Sequence, residues 1–484
     1  MNNDPSQFGD MDPEAFRRAA HRMADWIADY LQTSDRYPVL ARVRPGQVAA
    51  SLPSAAPPHG ESFEAIFSDF ERILLPGITH WNHPGFFAYF AITGSGPGIL
   101  AEFLSAALNV QAMLWRTSPA ATELEAVVLS WLRRAIGLPD AFEGVIYDTA
   151  SVSTLHALAA ARERTIPQVR QQGLAGRHEL ARVRVYCSDQ AHSSIDKAVI
   201  LLGLGQDSLR KVASDDAFRM RGGALAAAIA DDRASGYQPL AVVATVGTTS
   251  TTSVDPVEEI AALCERESVW LHVDAAYAGV AAMVPGYEWI LRGAGQADSL
   301  VVNPHKWLFT PFDLSILYCR HMDVLRAAFA LTPEYLKTDE GAPVRNLMDT
   351  GIQLGRRFRA LKLWMVLRHF GIEGVRARLA EHMRLATLFA SWVDANPDFE
   401  RLAPVPFSVV CFRAIARTPD DQDTDALNAR IVDAVNATGE IFVSHTRLGG
   451  RYAIRLAIGN LHTTEAHVAR AWELIQQHAS RLVP

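Results

Sequence analysis

The sequence predicts an α/β protein with a mainly parallel central sheet, and three observations carry that reading. Between about residues 86 and 360, short continuous apolar runs alternate with helical stretches: GVIYD, VRVYCS, LAVVATVG, VWLHVD, SLVVN and SILYC. Strands that helices cover on both faces have this composition, because neither face alternates with polar residues. Beyond residue 361 the pattern changes to long helices with FSVVCFR and the pair EIFVSHT and RYAIRLAI around Gly449 and Gly450, a hairpin in a smaller α+β unit. With 484 residues, 49% of them apolar, the chain can bury more than one core. Three segments are therefore expected: an N-terminal helical segment at 1–85, a large domain at 86–360 and a small domain at 361–484.

The first element begins at Asp12 and Pro13, a cap followed by the residue preferred at the first helical position. Phe16, Ala19, Ala20, Met23, Ile27, Tyr30 and Leu31 then recur at helical spacing. That apolar stripe has no obvious home in its own chain, so a second subunit is expected to cover it. The following stretch, YPVLARVRPGQVAASLPSAAPPHGES, holds five prolines and reads as an extended linker.

Composition narrows the partners. A net charge of −7 supplies no basic field for nucleic acid or an anionic membrane, so a small molecule is the expected ligand. Four cysteines without a Cys-x-x-Cys spacing argue against a disulfide framework or a zinc site and suit a reducing cytoplasm. No leader-like stretch and no eighteen-residue apolar run is present, which reads as a soluble, untargeted chain.

Only five lysines occur, and Lys306 directly follows the apolar run SLVVNPH and precedes Trp307, Leu308 and Phe309. An ammonium there is pushed toward its neutral form and becomes a usable amine, which arginine cannot provide. Taken alone, a lysine reaching out from the end of a core strand is an equal reading. Asp274 ends VWLHVD, so its carboxylate emerges at the carboxyl edge of the sheet, where open α/β sheets bind ligands. Its expected partner is a protonated pyridine nitrogen, the arrangement that makes pyridoxal phosphate (PLP) an electron sink; a helix cap or a structural ion pair is the alternative. Two turns offer phosphate donors. Thr149, Ala150 and Ser151 stand where a strand meets a helix, so backbone N–H groups and the helix dipole can face an anion. Thr248, Thr249 and Ser250 follow another strand, though they read equally well as a polar loop. His192, at a helix start after VRVYCS, suits stacking on a planar ring or proton relay, although a lone histidine is commonly structural.

At these residues the chain resembles the group II PLP-dependent amino-acid decarboxylases, and most closely the aromatic-L-amino-acid decarboxylases. HWNHPGFFAYF, SPAATELE, SDQAHSS, HVDAAYAG, NPHKW, LGRRFRALKLW and RLAI follow the family's order over nearly the whole chain. The resemblance implies a PLP-dependent transferase-like fold (fold type I) and a homodimer with shared active sites. It makes Lys306 the Schiff-base lysine, Asp274 the partner of the pyridine nitrogen and His192 the residue stacked on the ring. Ala150, Ser151, Thr249, Asn303 and His305 match cofactor-binding positions, and Ala276 packs against the ring. Tyr335, in a stretch that otherwise reads as a surface loop, resembles the tyrosine that returns a proton to the carbon that lost carbon dioxide. Related enzymes with phenylalanine there make aldehydes. Trp81, Tyr89, Phe90 and Ile92 line the implied substrate pocket, joined by Leu354 and Gly355 from the partner. Ala91, Ile92 and Met113 depart from the animal enzymes, and Gly355 goes with indole substrates in plant relatives, so the aromatic substrate stays open among tryptophan, phenylalanine, tyrosine and DOPA. An aldehyde synthase, a decarboxylase of a non-aromatic amino acid and a non-catalytic PLP-binding scaffold are the rival readings.

Overall fold

The computed structural model describes residues 9–331, 344–416 and 421–482. A two-residue strand, β1 (Phe86–Phe87), precedes the large sheet. Among the described residues that sheet comprises β2 (Glu143–Tyr147), β3 (Val183–Ser188), β4 (Leu209–Val212), β5 (Gln238–Thr245), β6 (Trp270–Asp274), β7 (Ser299–Val302) and β8 (Ser315–Cys319). Their spatial order is β2-β8-β7-β6-β5-β3-β4, and β8 alone runs against its neighbours. The apolar runs become strands because alternate residues bury into two different layers. Val242, Leu271, Leu300 and Ile316 meet helices 119–135, 222–234 and 257–267. Val243, Trp270 and Leu317 face helices 150–165, 194–201 and 322–329. The mainly parallel, doubly covered sheet is thus present as expected.

A second sheet contains β9 (Phe399–Arg401), β10 (Val409–Ala414), β11 (Phe442–Leu448) and β12 (Arg451–Ala457), in the order β1-β11-β12-β10-β9. β11 and β12 form the expected hairpin, turned by Gly449 and Gly450 at φ 56° and 83°, values that match the two-glycine turn. Helices Ala360–Ala395, Asp421–Ala437 and Glu465–Leu482 pack on it through Phe389, Val435 and Trp472, with Phe389 and Trp472 meeting Phe412 of β10. The first of these is two helices joined at Gly371, whose φ of 63° and ψ of 167° are not helical.

Asp12 caps helix Pro13–Gln32 by accepting the N–H groups of Glu14 and Ala15. Trp26 meets Phe67 and Phe70 edge-on, yet Phe16 and Met23 on the same stripe stay exposed. The proline-rich stretch is anchored rather than loose: Val39 is fully buried and bonds Gly439 and His80 through its backbone, and Gln47–Ala50 forms a helical turn. No helix of the described residues is long and apolar enough to cross a membrane.

Candidate active site

Thr245, Asp274 and Val301 lie side by side, so β5, β6 and β7 end level with one another. Asp274 ends β6, and the segments just beyond these ends carry Thr249, Ala276, Asn303, His305 and Lys306. Lys306 sits in the single turn Pro304–Trp307 after β7, and its N–H bonds the carbonyl of Asn303. No hydrogen bond or ion pair engages its Nζ among the described residues. Nζ lies 5.3 Å from the centre of the Phe90 ring. Burial holds the amine below its ordinary pKa, the Asp274 carboxylate pulls it upward and the Arg455 guanidinium pushes it down. Asp274 is buried and accepts the N–H of Ala276 at 3.1 Å. The Ala276 carbonyl in turn receives the N–H of Asn303 at 3.0 Å, linking the ends of β6 and β7.

His192 opens the segment before helix Ser194–Leu201 and is exposed in the single chain. Its Nδ1 accepts the N–H of Ser194 at 3.1 Å, so the neutral ring carries its proton on Nε2. The surrounding protein lowers the imidazole pKa, opposed by Asp274 and assisted by Lys306. His192, Asp274 and Lys306 therefore share one electrostatic environment.

Ala150 and Ser151 form the first turn of helix Ala150–Thr165. Their N–H groups stand ahead of the first intrahelical bonds, which Val152 and Ser153 give to Thr149. Thr249 is exposed in a tight loop after β5 rather than at a helix start. Gly247, at φ 91°, begins that loop, where a Cβ would meet Ala278 Cβ at 2.6 Å, and Ser253 closes it back on Thr248. Asn303 and His305 are buried together, with Asn303 Nδ2 3.4 Å from His305 Nε2. Burial takes the His305 imidazole down to about 3, with Lys306 lowering it further and Asp313 raising it.

The Phe90 ring stacks on Tyr277 with centres 3.8 Å apart, and Tyr277 stacks on Trp307 at 4.7 Å. Trp81 packs on Phe86 at 4.3 Å and reaches Tyr89 at 5.9 Å. Tyr89 is exposed with φ 50°, and Ile92 is half-buried. Leu354 and Gly355 lie on the exposed surface of the single chain, with Gly355 against Gln111. Tyr335 lies outside the described residues.

Arg455, on β12 of the other sheet, was not singled out by sequence although it opens the RLAI segment. It is buried, its Cζ lies 4.7 Å from the centre of the Phe90 ring, and its guanidinium donates to the carbonyls of Ser250 and Tyr89. It thus ties the turn at Tyr89 to the loop after β5. Tyr277 was missed likewise.

The set fits pyridoxal phosphate by its own chemistry: a buried amine with no hydrogen-bond or ion-pair partner among the described residues, a buried carboxylate near it and helix-start N–H groups at the same sheet edge. Asn303 Oδ1 and Ser194 Oγ are moreover buried without a partner, as expected beside a polar ligand. No group of three metal-ligating side chains clusters among the described residues, and the four cysteines are buried and unpaired.

Fold and site together define a PLP-dependent enzyme of fold type I. Residues 45–415 match the pyridoxal-dependent decarboxylase conserved domain. The chain belongs to that family of decarboxylases, and its cofactor is pyridoxal 5′-phosphate. It is 39% identical to tryptophan decarboxylase 2 of Oryza sativa subsp. japonica, over 98% of this chain and 96% of the relative. It is 40% identical to phenylacetaldehyde synthase of Arabidopsis thaliana, over 98% and 97%. The crystal structure of Oryza sativa TDC with PLP and tryptamine superposes with a TM-score of 0.94 at 35% identity, covering 98% of this chain and all of that one.

Proposed function

We propose that the enzyme removes the carboxylate of an aromatic L-amino acid, releasing an arylalkylamine and carbon dioxide. The observation that carries this reading is the Phe90 ring, fixed by Tyr277 beside the Lys306 amine, in a chain nearly 40% identical over its length to a tryptophan decarboxylase. When bound, pyridoxal phosphate supplies the sink for the electron pair left by the departing carbon dioxide. Lys306, kept toward its neutral form by burial, is the amine that would hold the cofactor through its aldehyde. Asp274 would keep a proton on the cofactor's ring nitrogen, and the His192 imidazole would stack on its ring. Ala150, Ser151, Thr249, Asn303 and His305 would bind the cofactor, mainly at its phosphate, and Ala276 would pack against its ring. Trp81, Tyr89, Phe90 and Ile92 select a flat side chain. Tyr335 returns the proton to the substrate carbon.

A second reading, oxidative conversion to an aldehyde, is favoured by the phenylacetaldehyde synthase relative. Tyrosine at 335 together with His192 argues for simple decarboxylation. Incubation with tryptophan, phenylalanine, tyrosine, DOPA, histidine and glutamate tests both. An amine and carbon dioxide are expected from an aromatic substrate; ammonia and peroxide at matching rates would favour the synthase. Lys306→Ala is expected to lose the visible Schiff-base absorption and turnover together.

The working unit we propose is a homodimer with shared active sites, in which residues 1–85 wrap the partner and Leu354 and Gly355 complete its pocket. A cytoplasmic setting is supported by the four buried, unpaired cysteines.

A further inference from the structure

Asn303 and His305 flank Pro304 in the turn after β7. The backbone N–H of Leu314 donates to His305 Nδ1 at 2.9 Å. A backbone N–H only donates, so Nδ1 accepts and the neutral ring carries its proton on Nε2. Leu314 is itself well anchored. Lys362 Nζ donates to the carbonyls of Pro311 and Asp313 at 3.1 and 2.8 Å, and Arg359 pairs with Asp313 at 2.8 Å. The ring therefore cannot move its proton to Nδ1 without setting that proton against a fixed donor.

His305 Nε2 faces the side-chain amide of Asn303, whose oxygen and nitrogen exchange places by a half-turn about one bond. With nitrogen toward the ring, two donors oppose each other at 3.4 Å and Oδ1 is buried without a partner. With oxygen toward the ring, Nε2–H gains its acceptor. The NH2 group then takes the buried far position, where the oxygen finds no donor among the described residues. A buried NH2 group needs an acceptor there, and the anion of a bound ligand answers it best.

We propose that His305 is a positioning residue: its Nε2–H turns the Asn303 amide so that the NH2 group faces the phosphate of the bound cofactor. His305 does not itself touch the phosphate. The proposal rests on the reading that Asn303 borders the phosphate, and it narrows the part of His305 from a phosphate ligand to the group that aims one.

The test titrates the apoenzyme with PLP and with pyridoxal, which lacks the phosphate, following Schiff-base absorption. Asn303→Ala and His305→Leu are each expected to weaken PLP binding by about tenfold or more, the scale of one charge-assisted hydrogen bond. Pyridoxal binding is expected to stay within about twofold, since only the phosphate contact is removed. The double variant is expected to be no weaker than Asn303→Ala alone. His305→Gln, whose amide can accept from Leu314 and donate to Asn303, is expected to recover most of the affinity. If the two losses multiply in the double variant, His305 binds the phosphate directly and the proposal falls while Asn303 keeps its place. If Asn303→Ala weakens PLP no more than pyridoxal, both fall. Equal loss of pyridoxal and PLP in His305→Leu and His305→Gln would mark a structural role and overturn the proposal as well.

Discussion

Lys306 is an amine held between opposite influences. Burial and the Arg455 charge favour its neutral form, and Asp274 favours the ammonium. Because only the neutral amine attacks an aldehyde, the pH at which the apoenzyme captures its cofactor reports on this balance. Arg455→Met removes a positive charge and so raises the pKa of Lys306. Schiff-base formation, timed by stopped-flow absorbance, is then expected to reach its plateau at a higher pH than in the unsubstituted enzyme. Arg455→Lys keeps the charge but loses the paired bonds to Ser250 and Tyr89, so its profile is expected to stay near the original. A Met variant with an unchanged profile would remove Arg455 from the electrostatics of the site. Lys306 and Asp274 were legible in the sequence because each closes an apolar run, where a charge is out of place. Arg455 was not: an arginine in RYAIRLAI looks like any outward-facing strand residue until the second sheet brings it against Phe90. His305 stood out only by resemblance, since its role depends on a proton position set by Leu314.

Elements were legible where burial is two-sided. VRVYCS and SILYC became strands with the expected ends because both faces of each are covered. β4 was not foreseen, since LRKV is an edge strand whose Arg210 and Lys211 remain in reach of solvent and break the apolar run. The bend in helix Ala360–Ala395 was also hidden, because helical periodicity continues across it. Gly371 sits in a backbone region open almost only to glycine, and a Cβ there would meet nothing within 4 Å. Gly371→Ala therefore isolates backbone strain and is expected to destabilise the protein by about 1–3 kcal/mol. Gly374 lies within regular helix, where a Cβ would meet the flexible end of Arg378 at 3.2 Å and Phe370 Cβ at an ordinary 3.6 Å. Gly374→Ala is expected to be neutral or stabilising by up to about 1 kcal/mol. Thermal unfolding of the two holoenzyme variants checks the contrast, and equal shifts would discount the strained turn.

For the whole molecule, the most telling surface is the one the chain leaves uncovered. Phe16 and Met23 on helix Pro13–Gln32, and Leu100, Phe103 and Leu108 on helix Gly96–Leu108, are all about half-exposed, with Phe16 stacked on Phe103 at 6.4 Å. A contiguous apolar face of two helices is unusual on a lone subunit and usual between subunits. Leu354 and Gly355 are exposed in their own chain as well. Phe103→Asp sets a charge within the apolar face, where burial in an interface is costly. It is expected to turn a dimer into a monomer in sedimentation, and activity is expected to fall in proportion to the dimer lost. Cofactor capture by Lys306, which needs only one chain's sheet edge, is expected to survive longer than turnover. A fully active monomer would show that each subunit completes its own pocket and would leave the exposed face without a catalytic purpose.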